Sequence, residues 1–320
     1  GIVVGTHALF ERRAVYRELG VAVVDEQHKF GVAQREKLLA KGDHPHLLIT
    51  SATPIPRTLA LTVYGDLDVS TIDEMPPGRI PIVTRWTTWE KSKEVYDFLR
   101  KMVQQGRQLY VVCPLVEESE KMPHLAAAEE RFPVFKDVIF PDFRCGLIHG
   151  RSASAEKEEV MTTFERGEIQ VLVATTVIEV GIDVPNASLL LVENAERFGL
   201  SQLHQLRGRI GRGADKSYCI LMTAKKLPEL AERRMQVMES TTDGFRVAEE
   251  DLAIRGPGEL LGTRQSGGLD FRLADIIKDG STLVEAREEA FQLLEENPQL
   301  AGDALTPLRQ ALKQRKFWTA

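Results

Sequence analysis

Val21-Ala22-Val23-Val24-Asp25-Glu26-Gln27-His28 is an apolar run that stops on two adjacent carboxylates. An apolar run without polar alternation reads as a strand covered by helices on both faces, as in the parallel sheet of an α/β protein. The same signature recurs at His46–Thr50, Gln108–Cys113, Val171–Ala174, Ser188–Val192 and Ser217–Met222, with a shorter run at Ile2–Val4. Amphipathic helical stretches separate these runs. In Thr88–Gln105, Thr87 and Glu90 read as a capping box and Gly106 as the stop. Strands alternating with helices predict α/β architecture with parallel sheets.

Working outward, Met75-Pro76-Pro77-Gly78 breaks any regular element and marks a linker. It divides the pattern into two α/β blocks, 1–78 and 79–224. Residues 225–320 have no strong strand runs and read as helices with glycine-rich turns. There Leu283, Ala286, Ala290 and Leu294 make one helical face, read as a packing surface. A chain of 320 residues with 43% hydrophobic residues is large enough for about two domains. Its 28% charged residues, without low-complexity stretches, fit a soluble globular protein. A net charge of -6 does not advertise nucleic-acid binding, but a basic groove can sit on an acidic body.

Cys113, Cys145 and Cys219 are far apart and form no CxxC, which argues against structural zinc or a disulfide framework and for a reducing compartment. No apolar run approaches membrane-spanning length. Ile2–Val4 is too short, and lacks the basic leader, to be a signal peptide. Gly1 opens directly into a strand-like run, as if cut from something longer.

The carboxylates close a strand, and ligands of parallel α/β sheets sit at the C-terminal strand ends. There Asp25 can hold magnesium through water. Glu26 can orient or deprotonate the water that attacks a γ-phosphate. On its own such a pair is more often a solvated acidic turn. Ser51-Ala52-Thr53-Pro54 also follows an apolar run, and its small hydroxyls can bridge two strand ends. Alone it is an ordinary proline turn. The pairing of Asp-Glu-x-His with Ser-Ala-Thr about two dozen residues later is specific.

Gln205-Leu206-Arg207-Gly208-Arg209-Ile210-Gly211-Arg212 sets three arginines among glycines. The planar guanidinium pairs phosphate oxygens and keeps its charge, which suits an arginine finger better than a solvated helix end. In Ala174–Pro185, Gly181 allows close backbone approach, and Thr175 and Thr176 offer hydroxyls to DNA phosphate. His149-Gly150-Arg151 and Gly5-Thr6-His7 read equally well as plain turns. His44-Pro45-His46 has metal-like spacing in a polar turn without a Cys or acid partner, and reads as a loop. The basic tail Lys313-Gln314-Arg315-Lys316 reads as a frayed helix end.

These stretches resemble the motifs of superfamily 2 helicases. Asp-Glu-x-His and Ser-Ala-Thr resemble motifs II and III, and Gln205–Arg212 resembles motif VI. Ala174–Pro185 resembles motif V, and the His-Gly-Arg and Gly-Thr-His stretches resemble the accessory motifs IVa and Ib. Two longer stretches narrow the choice. Asp25–Val32 resembles the corresponding stretch of RecG and of the transcription-repair coupling translocase. Asp243–Glu259, continued by Gly262-Thr263-Arg264-Gln265-Ser266-Gly267, resembles the translocation motif of both families, in wording closest to RecG.

The resemblance to the RecG family covers essentially the whole chain in order. It implies two RecA-like P-loop NTPase lobes with parallel sheets, the first incomplete, followed by a mostly helical C-terminal region. It implies ATP and Mg2+ as cofactors and branched DNA (stalled forks, Holliday junctions) as partner, with monomeric action in the bacterial cytoplasm. Carried over by position, Asp25, Glu26, Gln205, Arg209 and Arg212 are catalytic. Asp25, His28, Gly181, Asp183, Arg209 and Arg212 bind the nucleotide. Thr6, His7, Ser51, Thr53, His149, Arg151, Thr175 and Thr176 meet DNA, and Arg255 and Gln265 transmit the stroke.

The chain departs from the family in three respects. No Gly-x-x-x-x-Gly-Lys-Ser/Thr occurs, so the phosphate loop is missing, and so is the fork-splitting wedge domain. The chain alone is therefore expected neither to hydrolyse ATP efficiently nor to unwind DNA. Ser152 also stands where family members usually have methionine. Two alternatives remain: the coupling translocase, against which the Gly-Thr-Arg-Gln-Ser-Gly stretch argues, and a non-catalytic DNA-binding fragment.

Overall fold

A computed structural model of the chain describes residues 1–11, 13–26, 37–51, 68–72, 74, 78–114, 126–175, 184–256 and 279–314. They belong to two compact units, one of Gly1–Ile55 with Asp73–Ile254, the other of Pro56–Ile72 with Arg255–Ala320.

The first unit holds two parallel sheets. In the smaller, β1 (Val21–Val24) pairs with β2 (His46–Ile49), Val21 opposite His46 and Val24 opposite Ile49. Ala22, Val24 and Leu38 form a small core, with Phe10, Leu19 and Leu47 packed against it. The other face is bare, with Val21, Val23 and Leu48 at 60%, 62% and 56% exposure. Cover on both faces, expected from the apolar runs, is therefore found on one side only among the described residues. Ile2–Val4, expected as a strand, is irregular and exposed.

The larger sheet contains β3 (Val83–Thr88), β4 (Gln108–Val112), β5 (Cys145–Ile148), β6 (Val171–Ala174), β7 (Ala187–Glu193) and β8 (Tyr218–Thr223). Every pairing is parallel and the order is β3-β8-β7-β4-β6-β5. One face is covered by α1 (Ser92–Gln104), α2 (Ala126–Pro133) and the π-helical turn Val134–Ile139. Leu99, Val103, Ala128, Phe135 and Phe140 pack there on Leu109, Val173 and Leu191. The other face receives α3 (Ser154–Glu165), α4 (Leu200–Arg207), α5 (Glu229–Ser240) and α6 (Gly244–Arg255). Phe164, Leu203, Leu206, Met235 and Val247 pack there on Tyr110, Leu172 and Leu190. The core thus continues past Ala224, and the compact unit closes at Ile254.

Gly106 ends α1 as expected, with φ 90°. The expected capping box does not form. A 3-10 turn, Trp89–Lys91, precedes the helix with no side-chain cap, and Glu90 instead accepts a bond from Lys225 Nζ at 2.8 Å. Of the expected linker, Gly78 adopts φ 83° and Met75 to Pro77 lie outside the described residues. All three cysteines are free.

In the second unit, α7 (Gly280–Glu296) is followed by a 3-10 turn, Asp303–Leu305, and α8 (Thr306–Gln314). The expected helical face of Leu283, Ala286, Ala290 and Leu294 lies on α7. Leu294 and neighbouring Phe291 are 45% and 49% exposed.

Candidate functional site

At the C-terminal ends of β1 and β2, Asp25 and Thr50 meet. Thr50 Oγ1 donates to Asp25 Oδ1 at 2.5 Å, and the Glu26 N–H donates to the same oxygen at 2.9 Å. The bridge between strand ends is therefore made by Thr50, one residue before the Ser51–Thr53 stretch expected to make it. Asp25 remains exposed, so its carboxylate is oriented yet open to solvent. Glu26 has φ 54°, a left-handed conformation that costs a residue with a Cβ about 1 kcal/mol. Such backbone at a strand end re-aims the side chain away from the strand direction.

An oriented, exposed carboxylate fits a metal held through water. Among the described residues no cluster of three or more His, Cys, Asp or Glu forms a direct metal cage.

The arginine motif occupies α4 and the turn after it. Gln205 and Arg209 are half-buried and Arg212 is exposed, whereas Arg207 is buried at 2%. Arg207 Nη1 donates to Met238 O at 2.9 Å and Thr241 O at 2.7 Å, the carbonyls at the end of α5. Its Nη2 lies 3.1 Å from His204 Nδ1. Burial, with the Arg207 charge beside it, lowers His204 to about 4. Burial also lowers Arg207 itself. The first of the three arginines is thus a packing element.

The glycines that follow have geometric reasons. Gly211 has φ 80°, and a Cβ there would meet Ile82 at 2.8 Å. A Cβ on Gly213 would lie 2.4 Å from Pro185 O.

The helix that begins the translocation motif is fastened to the arginine helix. Ser201 Oγ, in the first turn of α4, donates at 2.7 Å to Asp251 Oδ2 on α6, and Asp251 is buried. Glu250 of α6 pairs with Arg233 of α5 at 2.7 Å. Arg234 of α5 donates to Phe198 O and Glu196 O, fixing the turn that enters α4. Arg255, the expected coupling residue, is the last residue of α6.

The expected DNA-facing residues sit at the ends of neighbouring strands. His149 and Arg151 follow β5, and Thr175 follows β6, with its N–H donating to Ile148 O at 3.3 Å. Arg151 is exposed. Thr175 is buried at 1%, and its hydroxyl finds no hydrogen-bond partner among the described residues. In this conformation it therefore offers DNA no hydroxyl. Thr6 precedes the 3-10 turn His7–Phe10, and both Thr6 and His7 are exposed. His28, Thr53, Thr176, Gly181, Asp183 and Gln265 lie outside the described residues.

One cluster was not anticipated. Glu193 ends β7 and is 1% exposed. Arg131 of α2 grips it through Nε at 2.8 Å and Nη2 at 2.6 Å, and Tyr96 donates to it at 2.9 Å. The Arg131 guanidinium also lies over the Phe135 ring, 5.1 Å from its centroid. Burial, and then Glu193, push the Tyr96 hydroxyl and the Cys113 thiol well above their usual ranges. An apolar run ending in a carboxylate, the signature that identified Asp25, also ends at Glu193. Nothing in the sequence marks Arg131 as its partner.

Residues 90–214 match the model of the helicase conserved C-terminal domain, and residues 241–319 match that of ATP-dependent DNA helicase RecG, domain 3, C-terminal. The chain is 54% identical to ATP-dependent DNA helicase RecG of Synechocystis sp. over 98% of its own length and 37% of that protein. It is 49% identical to the Escherichia coli K12 protein of the same name over 94% of its length and 44% of that protein. The chain thus spans less than half the length of these relatives. A solved structure of RecG bound to a three-way DNA junction superposes with a TM-score of 0.67 at 44% identity, over 88% of this chain and 35% of that one. No helix among the described residues is long and apolar enough to cross a membrane. With a helicase C-terminal domain followed by a RecG domain 3 region, and about half of the residues identical to RecG proteins over nearly its whole length, the chain belongs to the RecG helicase family.

Proposed function

We propose that this chain is the part of an ATP-driven DNA motor that fires the nucleotide and passes the stroke on, in a protein that remodels forks and Holliday junctions by branch migration or fork regression. The observation that carries this reading is the bond between α4, which leads into Arg209 and Arg212, and α6, which ends at Arg255. Bound ATP with magnesium supplies the phosphoryl bond whose cleavage drives the motor. Asp25, held by Thr50, would hold the metal through water, and Glu26 would orient the attacking water. Gln205, Arg209 and Arg212 would hold the nucleotide's phosphates, where the arginines would neutralise charge on the transferring group. Movement of that motif carries α6 with it. Thr6, His7, Ser51 and Arg151 contact the DNA backbone. Action as a monomer in the bacterial cytoplasm completes the reading.

The chain holds no phosphate-loop sequence, so this function is assigned to a protein that also supplies that loop. The test has two steps. The first is the mass of the native protein in its source cells, with an antibody against this chain. A band well above 35.8 kDa is expected. The second is ATP hydrolysis by that form with and without three-way junction DNA. DNA-stimulated hydrolysis is expected, falling by about a thousandfold in Arg209→Ala. A single band at 35.8 kDa that binds junctions without hydrolysing ATP would replace the motor with a DNA-binding module.

A further inference from the structure

The turn after β5 is closed by its own side chains. The Ser152 N–H donates to His149 O at 3.1 Å, and the His149 N–H donates to Ser152 Oγ at 3.4 Å. The Arg151 N–H donates to His149 Nδ1 at 3.3 Å. An accepting Nδ1 places the ring proton on Nε2. That nitrogen faces Glu129 Oε1 of α2 at 3.3 Å. Both ring nitrogens are therefore engaged within the protein, and the side chain is only 16% exposed. His149 is placed to shape the turn rather than to touch DNA. The exposed group is Arg151, whose guanidinium pairs with no carboxylate among the described residues.

Glu129 stands on a firm base. Its neighbour Ala128 is 1% exposed in the core, and Arg131, two residues on, is the arginine that grips buried Glu193. Lys157 closes the turn from the other side by donating to Gly150 O at 3.0 Å.

We infer that Glu129 is a positioning residue for DNA binding. It fixes the ring and tautomer of His149, and through the Arg151 N–H it holds the turn that aims the Arg151 guanidinium at a backbone phosphate. The inference rests on the DNA-motor reading above and adds a residue that no helicase motif in this chain contains.

Charge and position predict opposite signs here. A part-exposed carboxylate beside a phosphate-binding arginine repels DNA, so a purely electrostatic Glu129 would weaken binding and its removal would strengthen it. A positioning Glu129 is lost to the opposite effect.

The experiment is a salt titration of three-way junction binding, read by fluorescence anisotropy without nucleotide, on the longest form of the protein that source cells make. Arg151→Ala is expected to weaken binding and lower the slope of log affinity against log salt by about 0.9, one phosphate contact. Glu129→Ala is expected to weaken binding by about threefold to tenfold with the same loss of slope. The double variant Glu129→Ala/Arg151→Ala should bind no worse than Arg151→Ala alone. Glu129→Gln keeps an acceptor oxygen and should restore most of the affinity. Glu129→Asp keeps the charge but shortens the reach, perturbs folding least, and should still weaken binding.

Binding by Glu129→Ala equal to or tighter than the parent overturns the inference, and so do additive losses in the double variant. Both results leave the motor reading standing. A parent protein that does not bind junction DNA removes the motor reading, and this inference with it.

Discussion

Arg207 and Arg209 stand two positions apart in one motif, and the fold sends them different ways. Arg209 is half-buried beyond the end of α4, while Arg207 turns inward to the carbonyls that end α5. A helix C-terminus carries partial negative charge, so it accepts a buried guanidinium that no carboxylate among the described residues reaches. His204 is the neighbour that registers this arrangement. Its folded pKa of about 4 lies below the usual 6.5. Below pH 6.5 the unfolded chain therefore binds a proton that the folded chain refuses. Stability from this group is complete above pH 6.5 and is lost as pH falls toward 4, with a slope of at most about 1.4 kcal/mol per pH unit. Urea denaturation at pH 7 and pH 5 should show this loss. The same pair of measurements on His204→Gln should show a flatter dependence.

The elements that the sequence reveals and hides differ by position in the sheet. β4, β6, β7 and β8 are interior strands, and each was legible as an apolar run because helices cover both faces. The two strands that escaped notice, β3 and β5, are the sheet's edges. β3 spells Val-Thr-Arg-Trp-Thr-Thr and β5 Cys-Gly-Leu-Ile, and both mix buried with part-exposed positions. An edge strand can carry polar residues because one side of it meets solvent.

The site divides in a similar way. Asp25, Glu26, Gln205, Arg209 and Arg212 were visible because a motif lists them in order along the chain. Thr50, Glu129 and Arg131 were not, and Asp251 was visible only as one letter of the translocation stretch, since each matters through a partner brought to it by the fold. The Ser201–Asp251 bond belongs to this hidden class. Ser201→Ala leaves a buried carboxylate with one donor fewer and should cost about 1 kcal/mol. The effect should be local. Hydrogen exchange should rise across 244–255 while amides of β4 and β7 keep their protection.

Among the described residues of the first unit, a six-stranded sheet shares a chain with a two-stranded one. The six-stranded sheet has helices on both faces. The two-stranded sheet leaves Val21, Val23 and Leu48 more than half exposed. A flat apolar strand face in water pairs with another such face. Purified alone, this chain should self-associate as its concentration rises, and Val23→Thr with Leu48→Thr should reduce that association. Light scattering across a dilution series checks both. Equal scattering by parent and double variant would place the sticky surface elsewhere.

The interleaved strand order also sets a timetable for synthesis. Among the described residues β3 pairs only with β8, from Val83 opposite Tyr218 to Thr88 opposite Thr223. About 130 residues must leave the ribosome between the two, which takes roughly ten seconds at ordinary elongation rates. Through that interval the nascent lobe carries Trp86 on a strand with no neighbour, and β7 waits for its second partner as well. Folding of this six-stranded sheet therefore finishes only with its last strand, and a holding chaperone has a defined window in which to act.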